Sequence, residues 1–104
     1  MKTSFVVILV TCASGKEARG IANSLLTKRL IACANIISGV QSKFWWRGRI
    51  DEAKEVLMLI KAKAGNFKTI ESEVRRIHSY EVAEIIALPI VKGSKDYLKW
   101  IKGM

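Results

Sequence analysis

The sequence predicts an α+β fold of the ferredoxin-like type, with helices on one face of an antiparallel β-sheet. Three features lead to this prediction: an apolar strand near the start, a long β-hairpin in the middle, and helix-like segments that alternate with the strands. The chain has 104 residues, of which 50% are hydrophobic and 26% are charged. This size and composition suit one packed unit, so we expect a single domain over residues 1–104.

The first two elements carry strong local signals. Ser4 to Thr11 is continuously apolar and rich in β-branched residues, which is typical of a central strand covered on both faces. Ser14 and Glu17 then have the spacing of a capping box, in which the serine caps a helix start and the glutamate reaches back. Apolar residues at helical spacing follow, and we expect this helix to end near Arg29.

A long β-hairpin should follow the first helix. Ile31 to Trp46 and Val56 to Ile60 are strand-like, and Arg47-Gly48-Arg49 between them predicts a chain reversal. Gly39 in the first arm indicates a bulge or a bend, because glycine has no side chain to pack and tolerates unusual backbone angles. The arms outreach a small sheet, so their edges must be covered or paired.

The rest of the chain supplies a second helix, a fourth strand and a terminal helix. Asn66 is placed to cap the second helix, which should end near His78. A strand over Glu84 to Ile90 and a last short helix capped by Ser94 complete the order β-α-β-β-α-β plus a C-terminal helix. Two helices cover only one sheet face, so we expect a second subunit to cover the other.

Charge and composition exclude several classes of protein. The net charge is +9, but the basic residues are scattered and never form a long block, so we expect no nucleic-acid partner. The longest apolar stretch, Phe5 to Val10, is far too short to span a bilayer as a helix, which predicts no membrane association. Only Cys12 and Cys33 are present and no signal peptide is visible, so we expect a reducing cytoplasm.

No familiar catalytic motif occurs, so the sequence predicts a protein that is not an enzyme and holds no organic cofactor. The one histidine, His78, is followed closely by Tyr80 and Glu84, and imidazole with carboxylate is a common ligand set for zinc or copper. The alternative is that His78 simply ends the helix, because a partial positive charge at a helix C-terminus interacts favourably with the helix dipole. Cys33, among small apolar residues, is interpreted as a small core residue rather than a ligand. Cys12, at a strand end that faces a helix start, is better placed for reactivity than Cys33, but the structural interpretation is preferred for it too.

Several side chains outside this segment have two interpretations. The aromatic run Phe44-Trp45-Trp46 at the hairpin tip fits a subunit interface, or a stacking platform for bases. Lys61 near the end of a buried strand either holds an anion or extends to water. Tyr97 and Trp100, at helical spacing, either pack together or line a ligand site.

Taken together, several segments resemble the CutA family of divalent-cation tolerance proteins, in the same order and at the same spacings. These segments are Lys28 to Asn35, Ser42 to Ile50, Ile77 to Ile90 and Gly93 to Ile101, with Glu55 and Ile60-Lys61 between them. The resemblance covers nearly the whole chain. It implies a ferredoxin-like subunit in a homotrimer, with the hairpins and Phe44-Trp45-Trp46 at the interface, and a non-catalytic role in tolerance to divalent metals such as copper or zinc.

The resemblance also assigns individual residues. His78, Tyr80 and Glu84 match the family pattern His-Pro-Tyr-x-x-Pro-Glu, although Ser79 and Ala83 replace its two prolines. A cysteine implicated in copper binding in some family members falls at Val10 here, with Cys12 two residues on and on the same strand face.

His78, Glu84 and Cys12 are thus the expected metal ligands. The residues expected to line a cleft between subunits are Cys33, Lys61, Tyr80, Tyr97 and Trp100. The alternative function is a trimeric small-molecule sensor like the PII proteins, with an anion held against Lys61.

Overall fold

The computed structural model, which describes residues 4–104, has one antiparallel sheet with helices on both of its faces. The elements are β1 (Phe5–Cys12), α1 (Gly15–Thr27), β2 (Cys33–Trp46), β3 (Arg49–Lys63), α2 (Phe67–Ile77), β4 (Ile85–Pro89) and α3 (Lys95–Lys102). The strands lie in the order β2-β3-β1-β4. This is the predicted ferredoxin-like order, so the fold class is confirmed. None of the helices within residues 4–104 is long and apolar enough to cross a membrane.

The main core lies between the sheet and the helices α1 and α2. Side chains alternate along a strand, so Val6, Ile8 and Val10 of β1 all face this core, where they are at most 7% exposed. Val7 and Leu9 point to the opposite face and are only half-buried. β1 is therefore central, as predicted, but this single chain covers its two faces unequally.

The helix starts differ in how well the sequence predicted them. Ser14 Oγ accepts the Glu17 N–H at 3.1 Å and Glu17 Oε1 accepts the Ala13 N–H at 3.3 Å, which confirms the cap of α1. Asn66 does occupy the N-cap position of α2, as predicted, but its side chain makes no capping hydrogen bond. Its amide instead donates to the Leu30 carbonyl oxygen at 3.1 Å, and this contact ties the start of α2 to the segment after α1.

The hairpin is built from a 14-residue strand and a 15-residue strand. Arg47 and Gly48 both have positive φ angles, 50° and 80°, as the two central residues of a type I′ turn require. The register shifts between Ile37 and Val40, where Gly39 has φ 79°, so the predicted bulge is confirmed. The arms run beyond the rest of the sheet, and Trp45 near their tip is 72% exposed.

The sheet face opposite α1 and α2, called here the open face, carries exposed apolar side chains. Ile37, Ile86 and Leu88 are 43%, 48% and 49% exposed there. Helix α3 packs against β3, and its Tyr97 lies beside Cys33, so it covers one end of this face. The rest of the open face remains apolar and accessible, as the sequence predicted.

A buried carboxylate joins the two helices of the main core. Glu73 of α2 is 8% exposed and accepts hydrogen bonds from Ser24 Oγ at 2.5 Å and Lys28 Nζ at 2.8 Å, both on or just after α1. Arg76, one turn along α2, donates from Nε and Nη2 at 2.9 and 2.7 Å. These donors, Arg76 foremost, hold the pKa of Glu73 well below its usual range.

Glu73 should therefore make stability depend on pH in the acid range. A carboxyl whose pKa is lower in the folded state stabilises the fold above its unfolded pKa of about 4, and this contribution is lost as the pH falls. We expect Glu73→Gln to lower the urea midpoint at pH 7, and the difference from the wild type to narrow steadily below about pH 4. Glu71→Gln, on the same helix, is the matched control. If Glu73→Gln lowers the urea midpoint by the same amount at pH 7 and below about pH 4, the Glu73 charge does not have this role.

Candidate metal centre

His78 is placed where three segments of the chain meet. It follows α2 directly, and its side chain is 0% exposed. Its Nε2 donates to the Thr11 carbonyl oxygen at 2.7 Å, and its Nδ1 accepts the Tyr80 N–H at 3.0 Å. A carbonyl only accepts and an amide only donates, so these partners assign a neutral imidazole with its proton on Nε2.

Cys12, the last residue of β1, lies in the main core next to His78. It is 0% exposed, and its Sγ is 3.7 Å from the Sδ of Met58 on β3. Burial, followed by the nearby Glu17 and Glu55 carboxylates, raises the pKa of the thiol to about 12. The protonated thiol is therefore the stable form at neutral pH.

Glu17 reaches the same place from the first turn of α1. Its Oε1 accepts the Ala13 N–H, and its Oε2 accepts the Ser79 N–H at 3.0 Å. Burial alone would raise the pKa of Glu17, but the hydrogen bonds from Ser79 and Ala13 outweigh it and lower the pKa. His78 Nδ1 lies 3.9 Å from Glu17 Oε1.

The donor atoms of Cys12, Glu17 and His78 all lie within 4.8 Å of one another, and these residues are called here the Cys12 cluster. Within residues 4–104 it is the one group of three or more cysteine, histidine or acidic side chains with metal-ligand spacing. The predicted ligands Cys12 and His78 therefore come together. Glu84, the third predicted ligand, is exposed and lies outside the cluster.

Glu17, and not Glu84, is the acidic residue that lies beside Cys12 and His78. In the sequence, Glu17 was identified only as part of a helix cap. The available signal was its position five residues after Cys12, across the turn that leads from the strand into the helix, which keeps the two residues near each other. Glu84 is nearer to His78 along the chain but lies just before β4, beyond a loop that carries it away.

The side chains of the cluster are of the types that bind metal ions, but their donor atoms are farther apart than in a metal site. Thiolate, imidazole and carboxylate are all zinc or copper ligands, and tetrahedral ligands to one ion are about 3.5 Å apart. Separations up to 4.8 Å would have to contract by about an ångström. An ion would also replace the thiol proton and the hydrogen bond from Tyr80 N–H to His78 Nδ1.

Tyr80 connects the cluster to a cleft on the other side. Its ring centroid is 4.7 Å from that of His78, and its hydroxyl donates to Glu55 Oε2 at 2.8 Å. Glu55 is only 8% exposed. Burial, and then the hydrogen bond to Glu55, raises the pKa of Tyr80 to about 12, so the phenol keeps its proton.

The cleft beside Tyr80 has a volume of about 820 Å³. Its walls include Phe44 and Trp46 from the hairpin, together with Glu55, Tyr80 and Glu84. It therefore combines aromatic and acidic side chains. Glu84 and Tyr80, which the sequence placed in one site, do lie together here, away from the thiol.

The remaining predicted residues form a separate group on the open face. Lys61 Nζ and Cys33 Sγ both approach Asn35 Oδ1, the thiol at 3.8 Å, and Lys61 and Cys33 are paired across β3 and β2. Burial and the neighbouring Cys33 raise the pKa of Tyr97, and the Tyr97 and Trp100 ring centroids are 5.5 Å apart. None of these residues lines the cleft beside Tyr80.

Residues 6–104 match the family model described as CutA1 divalent ion tolerance protein. The chain belongs to this family. Human protein CutA is 44% identical over 93 residues, which are 89% of this chain and 52% of the human protein. The chain thus spans about half the length of the human and mouse relatives, at 52% of each.

Solved structures of family members have the same fold. CutA1 from Shewanella sp. SIB1 superposes with a TM-score of 0.95 at 38% identity, over 99% of this chain and 96% of that one. The periplasmic divalent cation tolerance protein CutA from Archaeoglobus fulgidus gives 0.92 at 40% identity, over 95% and 96%. The fold and family predicted from the sequence are both confirmed.

Proposed function

We propose that the protein binds copper or zinc at the Cys12 cluster and serves metal-ion tolerance as a homotrimer without catalytic activity. The convergence of a thiol, an imidazole and a carboxylate within 4.8 Å carries this proposal. Family membership supports the link to divalent-ion tolerance. A bound ion would supply a positive charge and act as a Lewis acid at this buried position.

The residues of the cluster would have defined tasks in binding. Cys12 would give up its proton, which its raised pKa of about 12 makes costly unless a cation takes the proton's place. His78 would offer Nδ1, the nitrogen that faces Glu17, while Nε2 keeps its bond to the Thr11 carbonyl. The Tyr80 N–H would then lose its acceptor, so binding would move the backbone that carries Tyr80.

We expect metal affinity to depend on Cys12 and His78. Cys12→Ala and His78→Asn should each weaken binding of Zn²⁺ or copper by at least about tenfold, because each removes a donor atom. The matched control is Cys33→Ala, which removes the other thiol at a distant point on the open face. Affinities are measured by competition with a chromophoric chelator, with circular dichroism to check folding.

A further variant distinguishes Glu17 from Glu84 as the acidic ligand. Glu84→Ala should leave the affinity unchanged, since Glu84 lies outside the cluster. If Glu84→Ala weakens binding and Cys12→Ala does not, the ion binds in the cleft and the proposed site is wrong.

The open face and the hairpin tip support the proposed trimer. Ile86 and Leu88 are about half exposed on the open face, and Phe44, Trp45 and Trp46 remain 39% to 72% exposed at the tip. Apolar area of this extent is typical of a surface that a partner covers. The two edge strands, β2 and β4, leave backbone groups free to pair with another copy.

The trimer should be detectable from its mass in sedimentation, and a single charged residue placed on the open face should disrupt it. We expect sedimentation at about 35 kDa, three times the chain mass of 11.6 kDa. Leu88→Glu on the open face should shift the protein toward the monomer, because it buries an unpaired carboxylate in the interface. Leu26→Glu is the matched control, since Leu26 is similarly exposed (43%) but lies on α1. A wild type that sediments as a monomer would refute the trimer.

A small-molecule sensor is the second candidate, and the cleft beside Tyr80 favours it. Asp51, Glu55, Glu81 and Glu84 line this cleft with Lys43, so it suits a cationic ligand better than the anion predicted from Lys61. In a thermal-shift screen we expect organic amines, rather than nucleotides or organic acids, to raise the melting temperature. If only the organic acids raise the melting temperature, the assignment of a cationic ligand is wrong. If neither class raises it, the sensor function is wrong.

We also propose a cytoplasmic location. Both cysteines, Cys12 and Cys33, are free thiols, which suits a reducing compartment. The Archaeoglobus relative is described as periplasmic, so cell fractionation with an antibody to this chain is the direct test.

A further inference from the structure

We propose that the thioether of Met58 completes the Cys12 cluster and makes it a copper(I) site in preference to a zinc site. This inference rests on the proposed function, because it names the ion and adds a ligand to the same cluster. Met58 is 0% exposed in the middle of β3, where a methionine is first explained as a core residue. Its contact with Cys12 is what distinguishes it.

The sheet register brings the two sulfur atoms together. Met58 pairs with Val10 across β3 and β1, and Cys12 lies two residues further along on the same face. The Cys12 thiol donates toward Met58 Sδ at 3.7 Å. Two sulfur ligands bound at about 2.3 Å are about 3.8 Å apart at a tetrahedral angle and about 4.0 Å apart at the trigonal angle of three donors. The two sulfur atoms thus already lie within about 0.3 Å of the separation that one shared ion requires.

The donor chemistry selects a soft ion. Thiolate and thioether sulfur are ligands of copper(I), whereas structural zinc sites use thiolate, imidazole and carboxylate. Cys12, Met58 and His78 together supply two sulfur atoms and one nitrogen. Such a set needs no fourth donor from solvent, which suits a place where all three side chains are fully buried.

The test compares two methionine variants of the full chain under anaerobic conditions. Met58→Leu keeps the volume of the core side chain but removes the sulfur. The matched control is Met104→Leu, the same substitution at an exposed terminal residue. The probes are copper(I) alone, held reduced by ascorbate and competed against a chromophoric copper(I) chelator, and Zn²⁺ alone. We expect Met58→Leu to weaken copper(I) at least about tenfold and to leave Zn²⁺ unchanged.

X-ray absorption at the copper edge gives a second measurement that needs no variant. The wild type should show two sulfur neighbours at about 2.3 Å, and Met58→Leu should show one. A single sulfur in the wild type, or equal copper(I) affinity in Met58→Leu, overturns the role of Met58 while Cys12→Ala still tests the proposed function. If neither ion binds the wild type, the proposed function fails and this inference fails with it.

Discussion

The buried imidazole of His78 ties the segment after α2 to the end of β1, 67 residues earlier in the chain. Its Nε2 donates to the end of β1 and its Nδ1 accepts from the segment after α2. Glu17 completes the junction by joining the start of α1 to Ser79. The hydrogen bond from His78 to the Thr11 carbonyl is buried, so its loss would leave polar groups unpaired in the core. The Cys12 cluster and the cleft both lie against this junction.

The parts of the fold that sequence reasoning predicted well are those decided by local chemistry. The Ser14 cap, the Gly39 bulge and the Arg47-Gly48 turn each depend on what one or two residues can do with their own backbone. Asn66 stands at the predicted N-cap, but its side-chain NH2 donates to the distant Leu30 carbonyl and its side-chain oxygen caps no helix N–H. No local pattern reveals such a distant partner, which becomes visible only when the chain is folded.

The candidate site was predicted in part, for a related reason. His78 and Cys12 stood out because histidine and cysteine are rare in this chain and chemically distinctive. Glu17 was assigned to helix capping, which it does perform, and Met58 was not singled out. The contacts of these two residues with the cluster depend on strand register and on how the start of α1 meets the end of α2. Sequence spacing favoured Glu84 instead, because Glu84 is close to His78 along the chain. Spacing along the chain does not report which residues are close in the folded structure.

The single acceptor lone pair on His78 Nδ1 makes the cluster and the cleft mutually dependent. That nitrogen either accepts the Tyr80 N–H or binds an ion, because an imidazole nitrogen has one lone pair. Tyr80 in turn holds Glu55 at the wall of the cleft. An ion at the cluster would therefore free the Tyr80 backbone and loosen the hydrogen bond that orients Glu55. The coupling is reciprocal, so a ligand in the cleft that tightens Tyr80 against Glu55 would also oppose the ion.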